Sequence, residues 1–232
     1  MTAAIDTKPV IAIIGGTGAL GTALALRWAD AGYRVVLGSR SRDKAAEVAQ
    51  SLMSLMSLTA GDRGRIDGDD NVAAARAANI VVIAVPYSSH ASTLDEIAAS
   101  VEGKIVVDAV VPLQPPKVSV VHLPPGLSAA QEAQARLGAS VRVVSAFHNV
   151  GAAKIREGGP VDCDVLVCGD DRDSRMAVSA LADAMGARGV DAGPLANSVA
   201  VEALTAVLIG INRRYKVGGA GIRITGLPAQ AA

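Results

Sequence analysis

Apolar residues in this chain fall in short unbroken runs, separated by longer stretches of mixed polarity. The first run, Val10-Ile11-Ala12-Ile13-Ile14, is apolar throughout and predicts a strand buried on both faces. Comparable runs at 34–38, 80–85, 104–108 and 141–145 predict further strands, and 164–168 and 188–190 continue the series. Between them the pattern predicts helices over 22–31, from near Asp43, over 71–78, 128–137, up to Met185, and over 197–212. The stretch 51–58 prolongs the second helix, with its methionines as packing. Residues 1–8 read as a loose leader and 59–71, rich in Gly and Asp, as a surface loop. The Pro-rich segment 112–125 reads as a lid or an interface, and the tail carries a strand-like Ile222-Arg223-Ile224. Strands alternating with helices predict an α/β fold with a doubly wound, mainly parallel sheet.

The first strand runs into Gly15-Gly16-Thr17-Gly18-Ala19-Leu20-Gly21, which contains G-x-G-x-x-G between a strand and a helix. In that setting glycines close the turn, let backbone approach a pyrophosphate, and let the helix pack against the strand. The helix N-terminus then offers free N–H groups and a positive dipole end to phosphate. The second strand ends in Gly38-Ser39-Arg40, with Arg42 and Lys44 close behind and no acid at its tip. An acid there would accept the ribose hydroxyls of NAD, whereas Arg suits a 2′-phosphate, so the sequence predicts NADP. Tyr87 and His90, just past the third strand run, are expected to line the cofactor cleft.

Composition narrows the partners. The 232 residues carry 22 Lys and Arg against 22 Asp and Glu, which gives no electrostatic reason to expect nucleic acid or a membrane surface. One Trp, one Phe and three Tyr are too few for base-stacking platforms. No secretory signal is visible at the N-terminus, and the best apolar candidate for a bilayer span, 199–211, is short and carries Glu202. Cys163 and Cys168, the only cysteines, lie five residues apart in a strand run and so face opposite sides. They can neither pair nor share a metal there, and read as buried thiols in a reducing, cytoplasmic setting. No metal site is predicted.

At this point the chain resembles the NADP oxidoreductases that use the deazaflavin coenzyme F420. The resemblance rests on 14–21, Gly38-Ser39-Arg40, Val144-Ser145-Ala146-Phe147-His148, Val167-Cys168-Gly169-Asp170-Asp171, Asp191-Ala192-Gly193-Pro194-Leu195, Glu202-Ala203-Leu204-Thr205 and Gly221-Ile222. It implies a Rossmann-type domain over 1–147, a small C-terminal α/β domain over 148–232 closing the acceptor cleft, and a homodimer. It implies hydride transfer between NADP(H) and coenzyme F420. On this likeness Gly16, Thr17, Gly18, Ala19 and Leu20 form the pyrophosphate turn, and Ser39, Arg40 and Lys44 contact the 2′-phosphate. Tyr87 stands where the family has an aromatic, and Ala152 matches a contact on the nicotinamide side. His148 and Val150 shape the space between the rings, and Thr205 lies near the deazaflavin. One departure is Val199, where the family carries Arg.

Two other readings are compatible with an NADP site. A reductase of a flavin, carbonyl or imine is one; a carbonyl or imine acceptor requires a proton donor. The Tyr-x-x-x-Lys pair is absent, since Tyr33, Tyr87 and Tyr215 are followed four residues on by Leu37, Ala91 and Gly219. Lys154 is the remaining lysine candidate. The other is a non-enzymatic NADP sensor, for which no partner surface is marked in the sequence.

Overall fold

The computed structural model describes residues 8–56 and 64–227. The expected leader, apart from Lys8, and the end of the 51–58 stretch lie outside the described residues. Eight strands form one sheet in the order β3-β2-β1-β4-β5-β6-β7-β8. They are β1 (Ile11–Ile14), β2 (Arg34–Ser39), β3 (Arg65–Asp70), β4 (Ile80–Ile83), β5 (Ile105–Asp108), β6 (Arg142–Ser145), β7 (Asp164–Gly169) and β8 (Arg188–Asp191). Neighbours from β3 to β6 pair in parallel, β7 joins β6 antiparallel, and β8 is parallel to β7. The mainly parallel α/β sheet predicted from the sequence is therefore the observed one.

The unbroken apolar runs follow from the layering. On β1, Ile11 and Ile13 pack into the layer holding α1 (Ala19–Asp30) and α2 (Arg42–Met56). Ala12 and Ile14 pack oppositely, towards α3 (Asn71–Ala77), α4 (Tyr87–Ile97) and α5 (Ala129–Leu137). Three further helices follow: α6 (Ala152–Arg156), α7 (Arg172–Ala184) and α8 (Ser198–Tyr215). Because β1 lies between β2 and β4, the chain reverses direction across the sheet there, which opens a crevice at the carboxyl ends of β1 and β4.

Three expectations need correction. Residues 65–70 are a strand, not a loop: β3 pairs along its whole length with β2, from Arg34 opposite Arg65 to Ser39 opposite Asp70. Its one large apolar residue, Ile66, is buried, and its acids suit an edge exposed to water. Ile222-Arg223-Ile224 is not a strand, although the Ile222 carbonyl accepts the Asp164 N–H at 2.8 Å. The run Leu195–Tyr215 is longer than the sequence suggested and, by length and composition alone, apolar enough to cross a bilayer. Its Glu202 and Thr205 are bound to other parts of this same fold.

The C-terminal elements are tied to the N-terminal ones through α1. Trp28 is fully buried; its Nε1–H donates to the Leu181 carbonyl of α7 at 2.8 Å, and its ring meets Phe147 edge-on at 5.6 Å. Arg27 Nε donates to the Ile155 carbonyl of α6 at 2.7 Å. The C-terminal tail is pinned by Asp164, which is fully buried, ion-paired with Arg188 and accepts the Ile224 N–H. Burial pushes the Asp164 carboxyl up, but the Arg188 guanidinium and the Ile224 N–H outweigh it and hold it below the usual carboxylate range. Arg188→Ala strands this carboxylate and is expected to lower the urea midpoint at neutral pH. Because the folded Asp164 pKa is depressed, the interaction is present above the unfolded value and fades as pH falls through the folded one. The penalty should therefore shrink in acid.

Candidate functional site

The turn after β1 is built from backbone. Gly15 and Gly16 N–H both donate to the Gly38 carbonyl at 3.1 Å, and Gly18 N–H closes the turn on the Gly15 carbonyl at 3.0 Å. Gly15 sits at φ +79°, where a side chain would be strained. A Cβ on Gly21 would come within 2.7 Å of Gly16 Cα, so this glycine sets how closely α1 approaches the turn. Gly18 caps α1 without any side-chain hydrogen bond, which leaves first-turn N–H groups open to a ligand.

A cleft of about 320 Å³ opens at this turn and collects Thr17, Gly18, Ser39, Arg40 and Lys44. Gly16 lies buried beneath them. Ala19 and Leu20 are the first two residues of α1, with Leu20 packed partly against the core. Arg42 is paired with Asp69 at 3.0 Å. Arg40 and Lys44 have no acidic partner among the described residues, so two cations face the cleft uncompensated. These features fit a dinucleotide carrying an extra phosphate: open N–H groups for the pyrophosphate and free cations at the tip of β2.

Tyr87 and His90 do not line this cleft, contrary to expectation. Along α4, Ser89 and Thr93 face the cleft, while Tyr87, His90 and Leu94 lie on the next stripe and border a separate depression. A shift of one residue turns a helical side chain through about 100°. Tyr87 donates to Glu132 Oε2 at 2.8 Å, and burial with the Glu132 hydrogen bond pushes its phenol up to about 12. Sequence reasoning also missed Asn71. It opens α3 inside the cleft and donates to Glu96 at 2.9 Å, while its Oδ1 is buried and unpartnered. Its signal was a helix start at a strand end, hidden because β3 read as a loop.

At the far end of the same edge, β6 leads into Phe147, His148, Asn149 and Val150, all buried. Phe147 has φ +68°, a conformation rare for a bulky residue. Neither His148 ring nitrogen has a hydrogen bond. Burial lowers the His148 pKa to about 4, against the opposing pull of the Asp108 carboxylate and the Asp108 and Val110 carbonyls, so the ring is neutral at physiological pH. Thr205 donates its hydroxyl to the His148 carbonyl at 2.8 Å. Asn149 Nδ2 donates to the Asp164 carbonyl at 2.6 Å, leaving its Oδ1 buried and unpartnered. Val150 and Asn149 also border a pocket of about 180 Å³ whose lining includes 219–221. Ala152, half-buried, begins α6. Lys154 is half-exposed and paired with Glu157 at 3.1 Å, and Val199 is half-buried in the first turn of α8.

Comparison with known proteins decides the relationship. Residues 10–112 match the family described as NADP oxidoreductase, coenzyme F420-dependent. The F420-dependent NADP reductase of Methanocaldococcus jannaschii is 40% identical over 222 residues, covering 94% of this chain and 98% of that protein. That of Methanothermobacter marburgensis is 36% identical over 224 residues, covering 94% and 99%. The chain belongs to the coenzyme F420-dependent NADP oxidoreductase family. A crystal structure from Arthrobacter sp. FB24 superposes with a TM-score of 0.77 at 24% identity, covering 94% of this chain and all of that one, and shows the shared fold. A pyrroline-5-carboxylate reductase from Coxiella burnetii, at 16% identity and TM-score 0.60, is likewise a likeness of fold alone.

One buried acid of the family-like blocks ties α8 to α5. Glu202 of α8 accepts the Ala129 N–H at 2.7 Å and the Ala130 N–H at 3.0 Å, at the start of α5. Burial pushes its carboxyl up to about 8; the two N–H donors oppose this, and Asp108 and Glu132 add to it. The folded state therefore holds a proton that the unfolded chain has lost, and stability should fall as pH rises from about 4.5 to about 8. Glu202→Gln removes this titration. Urea unfolding across that window should give a flatter pH dependence for the variant; parallel slopes would contradict the assignment.

Proposed function

We propose that this protein transfers a hydride directly between NADP(H) and the deazaflavin coenzyme F420. The observation that carries this reading is the near full-length match to F420-dependent NADP reductases. In this reading Gly16 to Leu20 receive the pyrophosphate, and Ser39, Arg40 and Lys44 select the 2′-phosphate. When both coenzymes are bound, the reduced nicotinamide supplies the hydride and the deazaflavin accepts it. The chain's part is positional: it must hold the two rings within about 3–3.5 Å and exclude water. His148 and Val150 form the wall at the rings, Ala152 flanks the nicotinamide side, and Thr205 fixes the loop that carries His148. Residues 1–147 supply the nucleotide site in this scheme and 148–232 the acceptor wall.

The chemistry of the wall favours a ring acceptor over a carbonyl or imine. Those substrates need a proton donor, whereas His148 is neutral and desolvated and Lys154 is paired with Glu157 near solvent. The working form in this reading is a homodimer. Val207, Ile211 and Tyr215 leave an exposed apolar stripe on α8, and Val120, Val121 and Leu123 of the Pro-rich segment are exposed as well, area that a second copy would cover. Both cysteines are buried and unpaired, which supports a reducing, cytoplasmic setting. Neither nucleic acid nor membrane enters this scheme.

The test is anaerobic bleaching of oxidised coenzyme F420 by NADPH and by NADH, with wild type and Arg40→Glu. Wild type should strongly prefer NADPH. Replacing a charge-assisted phosphate contact by a like charge should cut kcat/KM for NADPH by roughly 100-fold and for NADH by less than about threefold. An unchanged preference would overturn the 2′-phosphate site, and no bleaching by wild type would overturn the acceptor.

A further inference from the structure

The run Ile105-Val106-Val107-Asp108-Ala109-Val110-Val111 is apolar except for one acid. Asp108 is fully buried at the carboxyl tip of β5. An ionised carboxylate in such a place is costly unless every lone pair is used. Here both oxygens are engaged. Oδ1 accepts the Val110 N–H at 2.9 Å, closing a turn two residues on, and Oδ2 meets His90 Nε2 at 2.6 Å. His90, from the first turn of α4, is itself buried and spends its ring on this one acid. Tyr87 stacks on the outer side of the imidazole at 6.1 Å.

The backbone of this turn faces the hydride-transfer wall. The Asp108 carbonyl accepts the Ala146 N–H at 3.2 Å, two residues before His148. The carbonyls of Asp108 and Val110 also favour the charged form of the His148 ring against burial, without a hydrogen bond to either ring nitrogen. From the other side, Thr205 holds the His148 carbonyl. The His148 ring has no hydrogen bond of its own, so its orientation depends on the surfaces packed around it. The 108–110 turn meets this segment at the Ala146 N–H, and its shape is fixed by Asp108 Oδ1, whose carboxylate is in turn fixed by His90.

We propose that the buried His90–Asp108 pair is a positioning device for hydride transfer: it locks the 108–110 turn, which grips the chain at Ala146 and so holds the following His148 imidazole in register with the reacting rings. This rests on the functional reading given above. It makes His90 a residue that acts through Asp108 and His148 and never touches either coenzyme. A purely structural role for the pair would alter stability and leave the chemistry of the folded enzyme unchanged.

The test uses His90→Leu, which removes the donor, and His90→Gln, which offers an amide donor in its place. Two readouts apply. The first is kcat against KM for NADPH in coenzyme F420 reduction. His90→Leu should lower kcat about tenfold and leave KM within about twofold, because the nucleotide cleft is built by other residues; His90→Gln should recover most of the loss. The second needs no activity. The chain has only three histidines, His90, His122 and His148, so ring resonances of histidine-labelled protein are few enough to assign. The His148 ring signals should move in His90→Leu and return towards wild type in His90→Gln. A folded His90→Leu with kcat within about twofold of wild type and unmoved His148 signals would overturn the proposal. Should His90→Leu fail to fold, Asp108→Asn decides: it keeps an oxygen for the Val110 N–H but replaces the charged partner of His90. It should displace the His148 signals and lower kcat at least about fivefold, and wild-type values in both would overturn the proposal. Failure of wild type to reduce coenzyme F420 would instead strike the functional reading, with the resonance experiment still deciding whether the pair holds His148.

Discussion

A sheet covered on both faces has one place to put polar chemistry, the edge where its strands end. In this protein both faces of β1, β4, β5 and β6 are apolar and packed beneath helices, so their backbone bonds are satisfied within the sheet and their side chains by burial. The polar and charged groups that matter then gather beyond the carboxyl ends: Ser39 and Arg40 after β2, the glycine turn after β1, Asp108 on β5 and His148 past β6. Crossing from β1 to β6 takes three strand spacings, about 14 Å at 4.7–4.9 Å each. One edge of the fold thus holds the cation-lined cleft and the buried His148 segment at once.

The two ends are electrostatic opposites. At the β2 end, Arg40 and Lys44 are exposed and, among the described residues, left without acidic partners, which draws an anionic ligand and keeps desolvation small. At the β6 end the groups are buried, His148 is held neutral by burial, and Asp108 is committed to His90. A neutral, dry wall suits hydride transfer between two rings, where the protein must fix distance and keep water out. The tie between the ends is mechanical. Trp28 on α1 bonds to α7 and packs on Phe147, so the helix that begins at the phosphate turn also braces the residue next to His148.

Much of this was legible in the chain because strong local patterns coincide with tertiary demands. The apolar runs gave the strands and the parallel class, the glycine spacing gave the turn, and the acid-free tip of β2 gave the cations of the cleft. What was not legible depended on long-range partners. Arg65–Asp70 carries little strand preference of its own and is a strand because β2 supplies its ladder. Asn71 stayed hidden with it. Tyr87 and His90 were placed near the right strand but on the wrong helical stripe, since a sequence does not say how a helix is rotated about its axis. The role of Asp108 needed the pairing with His90, eighteen residues away in the chain, before its position in an apolar run made sense. The Cys-Gly-Asp-Asp and Asp-Ala-Gly-Pro-Leu blocks carried the family resemblance although neither was read as chemistry; Asp171 caps α7 and Asp191 pairs with Arg175 at 2.8 Å.

The most direct test of the central claim, ring-to-ring hydride transfer on this edge, is a single turnover with NADPH deuterated at the transferable position of nicotinamide C4. The account predicts that the deuterium appears on C5 of the reduced deazaflavin, undiluted by solvent hydrogen, and that the rate falls with a primary isotope effect when chemistry limits it. Loss of the label to water, or coenzyme F420 left oxidised while NADPH is bound, would contradict direct transfer.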